Sequence, residues 1–189
     1  MPDDAPDVRP AHDRDDLGRL DRHDGRWRLR FVRRLPHPPA KVFRALTERE
    51  HLAAWFPTDV IGDREAGAKL RFVFRDDEAP PIDGEMVAYD PPRLVEYRWG
   101  DEETLRFELA PDDGGRGTVL TFANGFDELG KAARDAAGWH ACLDLLAVHL
   151  DGAEPPWSPR DRWGDVHPRY VAALGPEAAA IGPPDGMAP

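Results

Sequence analysis

The sequence predicts an α+β fold in which a curved, seven-stranded antiparallel sheet packs on one long C-terminal helix, with two short helices after the first strand. Three observations carry this. Apolar residues recur at every second position through most of the chain between Arg26 and Asn124, the pattern of half-buried strands. The links between those runs are Gly-, Pro- and Asp-rich turns, too short for the crossovers of a parallel sheet. From Phe126 to Gly152 the apolar spacing changes to steps of three and four, as on one face of a helix.

Composition divides the 189 residues into four parts. Residues 1–24 hold eight Asp and four Arg with only scattered leucines, too little apolar surface to offset ordering, so a disordered tail is expected. His12 and His23 fall in it at a spacing that matches no metal-ligand pattern. Residues 25–152 form the expected domain. Beyond it the chain is proline-rich yet keeps Trp157, Trp163, Tyr170, Val171 and Leu174. We therefore expect 153–174 to dock on the domain, with a short helix near Pro168–Leu174, and 175–189 to be flexible. The net charge of −11 comes without a basic stripe, which argues against nucleic acid or anionic membrane as partner. A lone Cys142 fits a reducing compartment. No apolar run has the length of a bilayer span and the N-terminus lacks a signal-peptide core, so a cytoplasmic location and a monomer or weak homodimer are expected.

The elements follow in order. In the first strand Trp27, Leu29 and Phe31 alternate with Arg26, Arg28 and Arg30, whose side chains face solvent or pair with acids. Pro36-His37-Pro38-Pro39 ends it. Val42, Phe43, Ala45 and Leu46 give a short helix, and Thr47 with Glu50 reads as a capping box opening a second, which Pro57 stops. His37 and His51 read as surface or capping histidines. Six further strands are expected at 59–62, 68–75, 82–89, 93–99, 104–109 and 118–124. Phase is ambiguous only where Gly84, Met86 and Ala88 oppose the equally apolar Val87 and Tyr89. For the long helix, Asp127 can cap the start and Gly152 can end it in a left-handed turn. Gly138 in its middle suggests close approach of helix and sheet.

The segments PHPPAKVFRALTEREHLAAWF, GEMVAYDPPRLVEYRW, GTVLTFANGF and GWHACLDLL, in this order, resemble the START-like (SRPBCC) helix-grip superfamily. The nearest likeness is to bacterial relatives of the activator of the heat-shock chaperone ATPase, over about residues 26–152. The resemblance implies a cavity between sheet and helix that in many relatives holds an apolar or amphipathic small molecule. Here its walls would be Trp55, Phe72, Phe74, Met86, Tyr97, Trp99, Phe107, Phe122, Trp139, His140 and Leu143.

Catalytic signals are sparse. There is no nucleophile-elbow Gly-x-Ser-x-Gly, no phosphate-cradling glycine loop, no paired Cys and no His-x-x-x-His, so no cofactor or metal is expected. His140 reads either as a polar handle in the cavity or as a histidine satisfied at the helix–sheet interface. Glu96 and Arg98 read as an exposed pair, or as an inward acid–base pair if the strand phase is reversed. Cys142 reads as a small buried hydrophobe. Three functions remain: a small-molecule binding module, a protein-interaction or chaperone-regulating domain, and, with least support, an enzyme acting on a cavity-bound substrate.

Overall fold

The computed structural model describes residues 17–75 and 79–182; most of the expected N-terminal tail, with His12, and the end of the C-terminal one lie outside them. The strands are β1 (Arg19–His23), β2 (Arg26–Leu35), β3 (Thr58–Ile61), β4 (Lys69–Phe74), β5 (Ile82–Asp90), β6 (Leu94–Trp99), β7 (Glu103–Pro111) and β8 (Thr118–Phe126). They form one antiparallel sheet in the order β1-β2-β8-β7-β6-β5-β4-β3. The helices are α1 (Pro39–Thr47), α2 (Arg49–Leu52), α3 (Ala132–Leu150) and α4 (Pro159–Leu174).

The sheet has eight strands rather than seven. The extra one, β1, falls in the stretch expected to be tail and pairs with β2 from Arg19↔Arg30 to His23↔Arg26. Asp24 and Gly25 join the two with φ of 51° and 82°, the positive angles that a two-residue hairpin turn matched to strand twist requires. Arg28 then pairs with Asp21 at 2.9 Å.

Alternation decides which side chains meet α3. Leu29, Phe31 and Leu35 of β2, Leu70 and Phe72 of β4, Val95 and Tyr97 of β6, Leu105, Phe107 and Leu109 of β7, and Leu120, Phe122 and Phe126 of β8 are all buried. The outer face carries ion pairs: across strands Glu85 takes Lys69 at 2.6 Å and Arg98 at 2.9 Å and Arg106 takes Glu96 at 2.5 Å, and within β7 Arg106 takes Glu108 at 2.7 Å. Glu96 and Arg98 therefore lie on the outer face. The phase ambiguity of β5 is a β-bulge between Met86 and Ala88. Met86 points inward, Val87 is exposed, and Tyr89 packs on Phe43 of α1 at 5.4 Å between ring centroids. An extra residue in one strand reverses the alternation beyond it. Inside the same strand only glycine fits at Gly84, where a Cβ would lie 2.1 Å from the Arg98 carbonyl oxygen and 2.6 Å from the Phe72 ring.

Four local expectations change. The long helix begins at Ala132, because Phe126 completes β8 opposite Trp27 and the Asp127 carboxylate accepts from Arg26 Nε at 2.7 Å instead of capping a helix. Gly152 lies just past its end at φ 67°. The capping box at Thr47 and Glu50 does not form: Thr47 ends α1 and donates its hydroxyl to the Phe43 carbonyl at 2.8 Å. Such a box does open α4, where Ser158 Oγ accepts from the Asp161 N–H at 3.1 Å and the Asp161 carboxylate accepts from the Ser158 N–H at 3.3 Å. From there α4 runs straight through Pro168. A proline inside a helix costs about 3 kcal/mol; burial of Trp163, Val166 and Tyr170 offsets it. Lastly, a Cβ on Gly138 would meet nothing within 4 Å, so close approach does not explain that glycine.

Candidate functional site: the open end of the grip

The eleven expected wall residues separate into three groups. Seven, Trp55, Phe72, Met86, Tyr97, Phe107, Phe122 and Leu143, are at most 2% exposed. They pack on one another: Phe107 stacks on Phe122 at 4.5 Å between centroids, Phe72 meets Tyr97 edge-on at 6.0 Å, and Trp55 meets Phe107 at 6.0 Å. Their polar tips are satisfied by α1, since Tyr97 Oη donates to the Leu46 carbonyl at 3.0 Å and Trp55 Nε1 to the Ala45 carbonyl at 2.8 Å. Burial pushes the Tyr97 hydroxyl far above the ordinary phenol range. Side chains without water-accessible surface border neither solvent nor a void that water enters, so these seven form a filled core.

The second group, Phe74, Trp99 and Trp139, is half-buried. Trp99 touches Phe74 at 6.2 Å and Trp139 at 6.4 Å, and Phe56 closes the back of the cluster at 5.8 Å from Trp99 and 5.9 Å from Trp139. Phe74 and Trp99 end their strands, and Trp139 faces them from α3. Gly138, next to Trp139, adds open space instead of a side chain.

Polar residues continue this end of the interface. Glu103 lies opposite Trp99 across the β6–β7 hairpin. It binds Lys131 through one carboxylate oxygen and accepts from Asn124 Nδ2 at 3.1 Å through the other. Lys131 also lies 3.8 Å from Asp135, which in turn pairs with Arg134 at 2.8 Å. Burial raises the Asp135 carboxyl above its ordinary range, against the opposing hydrogen bond and charge of Arg134. Asn124 is fully buried on the inward face of β8. Its amide nitrogen donates to Glu103 and to the Thr104 carbonyl, two acceptors that fix the orientation of the amide and leave Oδ1 without a protein partner. A buried acceptor left unpaired costs about 1–3 kcal/mol, and a donor brought to it recovers that cost.

The third group is His140 alone, a satisfied buried histidine whose ring nitrogens are taken up by α4 and by Asp144 of its own helix. Tyr170 Oη lies 2.9 Å from His140 Nδ1 and accepts from the Gly18 N–H at 2.9 Å. On the other side, Asp144 lies 3.3 Å from His140 Nε2 and accepts from Arg162 Nε at 2.7 Å. Burial works against the Asp144 carboxylate, but the hydrogen bond and charge of His140, with Arg162, hold it below the ordinary range. Burial also pushes the Tyr170 hydroxyl up to about 12. His140 and Tyr170 have at most 1% exposure, so these buried contacts tie the residue before β1 to α3 and α4. Cys142 is half-buried against the core, its thiol pushed up to about 12 by burial.

Sequence reasoning missed a groove outside the grip, of about 650 Å³, between α1 and the β5–β6 turn. Phe43, Tyr89, Pro91 and Pro92 line it. Two of its arginines are engaged: Arg44 pairs with Glu48 at 3.0 Å, and Arg64 donates to the carbonyls of Thr47, Gly62 and Val60. The third, Arg49, is exposed and reaches Asp59 only at 4.0 Å, so the hollow carries one accessible cation on its rim. Among the described residues, no helix is long and apolar enough to cross a membrane.

Solved structures share this architecture. CalU16 from Micromonospora echinospora superposes with a TM-score of 0.68 at 18% identity, over 85% of this chain and 99% of its own. A conserved protein of unknown function from Enterococcus faecalis gives 0.68 at 20% identity, over 83% and 90%. A protein from Mesorhizobium loti gives 0.57 at 23% identity, over 68% and 99%. These likenesses establish the helix-grip fold. A search of the curated proteins finds no match. The sequence profile described as "Activator of Hsp90 ATPase homolog 1-like protein" matches residues 36–151, from the proline turn after β2 to the end of α3, and with more than half of its length so matched the chain belongs to that family.

Proposed function

We propose that this protein is a binding module that takes an amphipathic small molecule at the open end of its helix grip. The apolar part lies against Phe74, Trp99 and Trp139, and a hydrogen-bond donor of the ligand reaches Asn124 Oδ1, which has no exposed surface in the closed grip, once the Trp99–Trp139 contact parts to admit it. The observation that carries the reading is the unpartnered Asn124 oxygen, whose amide nitrogen binds Glu103, the residue opposite Trp99 of the half-buried aromatic cluster. Binding sites combine this way, apolar walls with a few placed polar groups. The filled centre of the grip limits the ligand to that end. Its length is therefore short, or its tail lies along the surface of α3 past Gly138.

The outer sheet face gives less support to a protein-docking role. Its exposed large apolar residues, Val32, Ile61 and Val87, lie on β2, β3 and β5, separated by charged neighbours.

Native mass spectrometry of the purified chain tests the proposal. The expected result is a co-purifying small molecule that is lost in Trp99→Ala and in Asn124→Leu while both variants stay folded. An Hsp90 ATPase assay run on the same samples supplies the opposing outcome. Stimulation by the ligand-free chain, unchanged in both variants, would overturn the binding-module reading in favour of chaperone regulation.

A further inference from the structure

Far from the open end, where α2 meets the last turn of α3, two histidines face each other. His51 Nδ1 lies 3.0 Å from His149 Nε2, with the ring planes inclined by 59°. The other nitrogen of His51 is held by a carboxylate, Glu48 Oε2, at 3.5 Å. With Glu48 as the acceptor on that side, the tautomer protonated at Nε2 directs the Nδ1 lone pair toward His149. An imidazole whose far N–H is held by a carboxylate is the usual arrangement of a metal-ligating histidine. Glu50 adds a second carboxylate, its oxygen lying with one of Glu48 and a His51 ring nitrogen inside a 4.8 Å cluster. Both histidines are half-buried, so the pair opens to solvent on one side.

We propose that His51 and His149 bind one divalent transition-metal ion of the imidazole-preferring group, Cu(II) or Ni(II) by geometry, with water completing its coordination. The bite supports this choice. With metal–nitrogen bonds of about 2.0–2.1 Å, nitrogens 3.0 Å apart subtend about 95° at the ion. That angle suits adjacent positions of a tetragonal ion better than two corners of a tetrahedron. His149 lies in the last turn of a 19-residue helix, where the carbonyl-rich terminus favours positive charge. Lys41 of α1 also reaches this end of α3. Lys41 is itself tied to the Leu150 carbonyl at 2.6 Å and to His37 at 3.3 Å, and His37 is engaged by Asp151 at 2.7 Å. The neighbouring histidine is thus committed elsewhere, which confines the site to the pair. An ion there clips α2 to α3 through the two imidazoles.

The experiment is calorimetric titration of the full chain with Ni(II), with Cu(II) electron paramagnetic resonance on the same protein. One equivalent is expected to bind with heat, raise the melting temperature, and give a Cu(II) spectrum split by two nitrogens. His51→Gln and His149→Gln each weaken binding about tenfold or more, Glu48→Gln weakens it by about tenfold through the ring it orients, and His37→Gln leaves it unchanged. Absence of Ni(II) binding to the parent chain at millimolar ion overturns the proposal. So does binding that survives in both folded Gln variants, or a Cu(II) spectrum without two-nitrogen splitting, a readout that needs no variant to fold.

Discussion

The middle and the open end of the helix grip are built from the same kinds of residue and behave differently. In the middle, Phe72, Tyr97, Phe107 and Phe122 are at most 1% exposed, with every polar tip tied to α1. At the end, Phe74, Trp99 and Trp139 keep part of their surface in water, and a neighbouring buried amide oxygen has no partner. The difference teaches that an aromatic ring in this fold is a stabiliser or a contact surface according to whether a helix residue covers it. Leu143, Leu146 and Leu150 cover the middle. Toward the N-terminal end of α3 the buried positions are the small Ala132, Ala133, Ala136 and Ala137, flanked by the charged Lys131 and Asp135 and the bare Gly138.

Substitutions can break this contrast. Phe107→Ala removes a ring from the filled middle and is expected to cost about 3–5 kcal/mol in denaturant unfolding, with ligand capture by the remaining folded protein unchanged. Trp99→Ala at the open end is expected to cost less than the lower bound of that range, because part of the ring is already in water, and to abolish capture. Equal stability losses at the two positions would remove the distinction. Tyr170→Phe serves as a control on the far side of α3. It leaves the Gly18 N–H and His140 Nδ1 without their buried partner, at about 1–3 kcal/mol, and leaves capture intact.

Smaller effects sharpen the comparison. Gly138→Ala is expected to add about 1 kcal/mol, since helix propensity rises and the new methyl meets nothing; a lower melting temperature would mean that the space is needed. The mildest expectation concerns Asp135, whose folded-state pKa lies above its unfolded value. Its contribution to stability is fully present below the unfolded pKa of about 3.9 and is lost as pH rises through the folded value. Asp135→Asn is therefore expected to raise the melting temperature at neutral pH and to lose that advantage in acid, measured by thermal melts across the carboxylate range.

Much of the sheet was legible because a two-residue period survives any tertiary context. β4, β6, β7 and β8 show their inward faces in the order of their letters. β1 was hidden by its charge: RLDRH looks like tail, and only the Asp24-Gly25 pair signals a hairpin. The start of α3 was misjudged because Phe126 and Asp127 suit a helix as well as a strand end, and the pairing of Phe126 with Trp27 decides for the strand. At the site, ring identity was readable and wetness was not, since exposure depends on which strand ends lie beneath which turn of α3. His140 shows the limit most plainly. It shares a helix with Trp139 and Leu143, yet its partners Tyr170 and Arg162 come from α4. His51 and His149 meet across 98 positions of sequence, beyond the reach of any spacing rule.

The pairing of β2 with β8 joins nearly the first strand to the last, with Trp27 opposite Phe126 and Leu35 opposite Thr118. Hairpin contacts inside the β3–β7 meander form locally, whereas this pair closes the longest loop in the sheet. A chain emerging from the ribosome can therefore assemble the meander while the β1–β2 hairpin waits, its inward Leu29 and Phe31 uncovered until β8 and then α3 arrive. The order of synthesis makes the first strands to appear among the last to be secured.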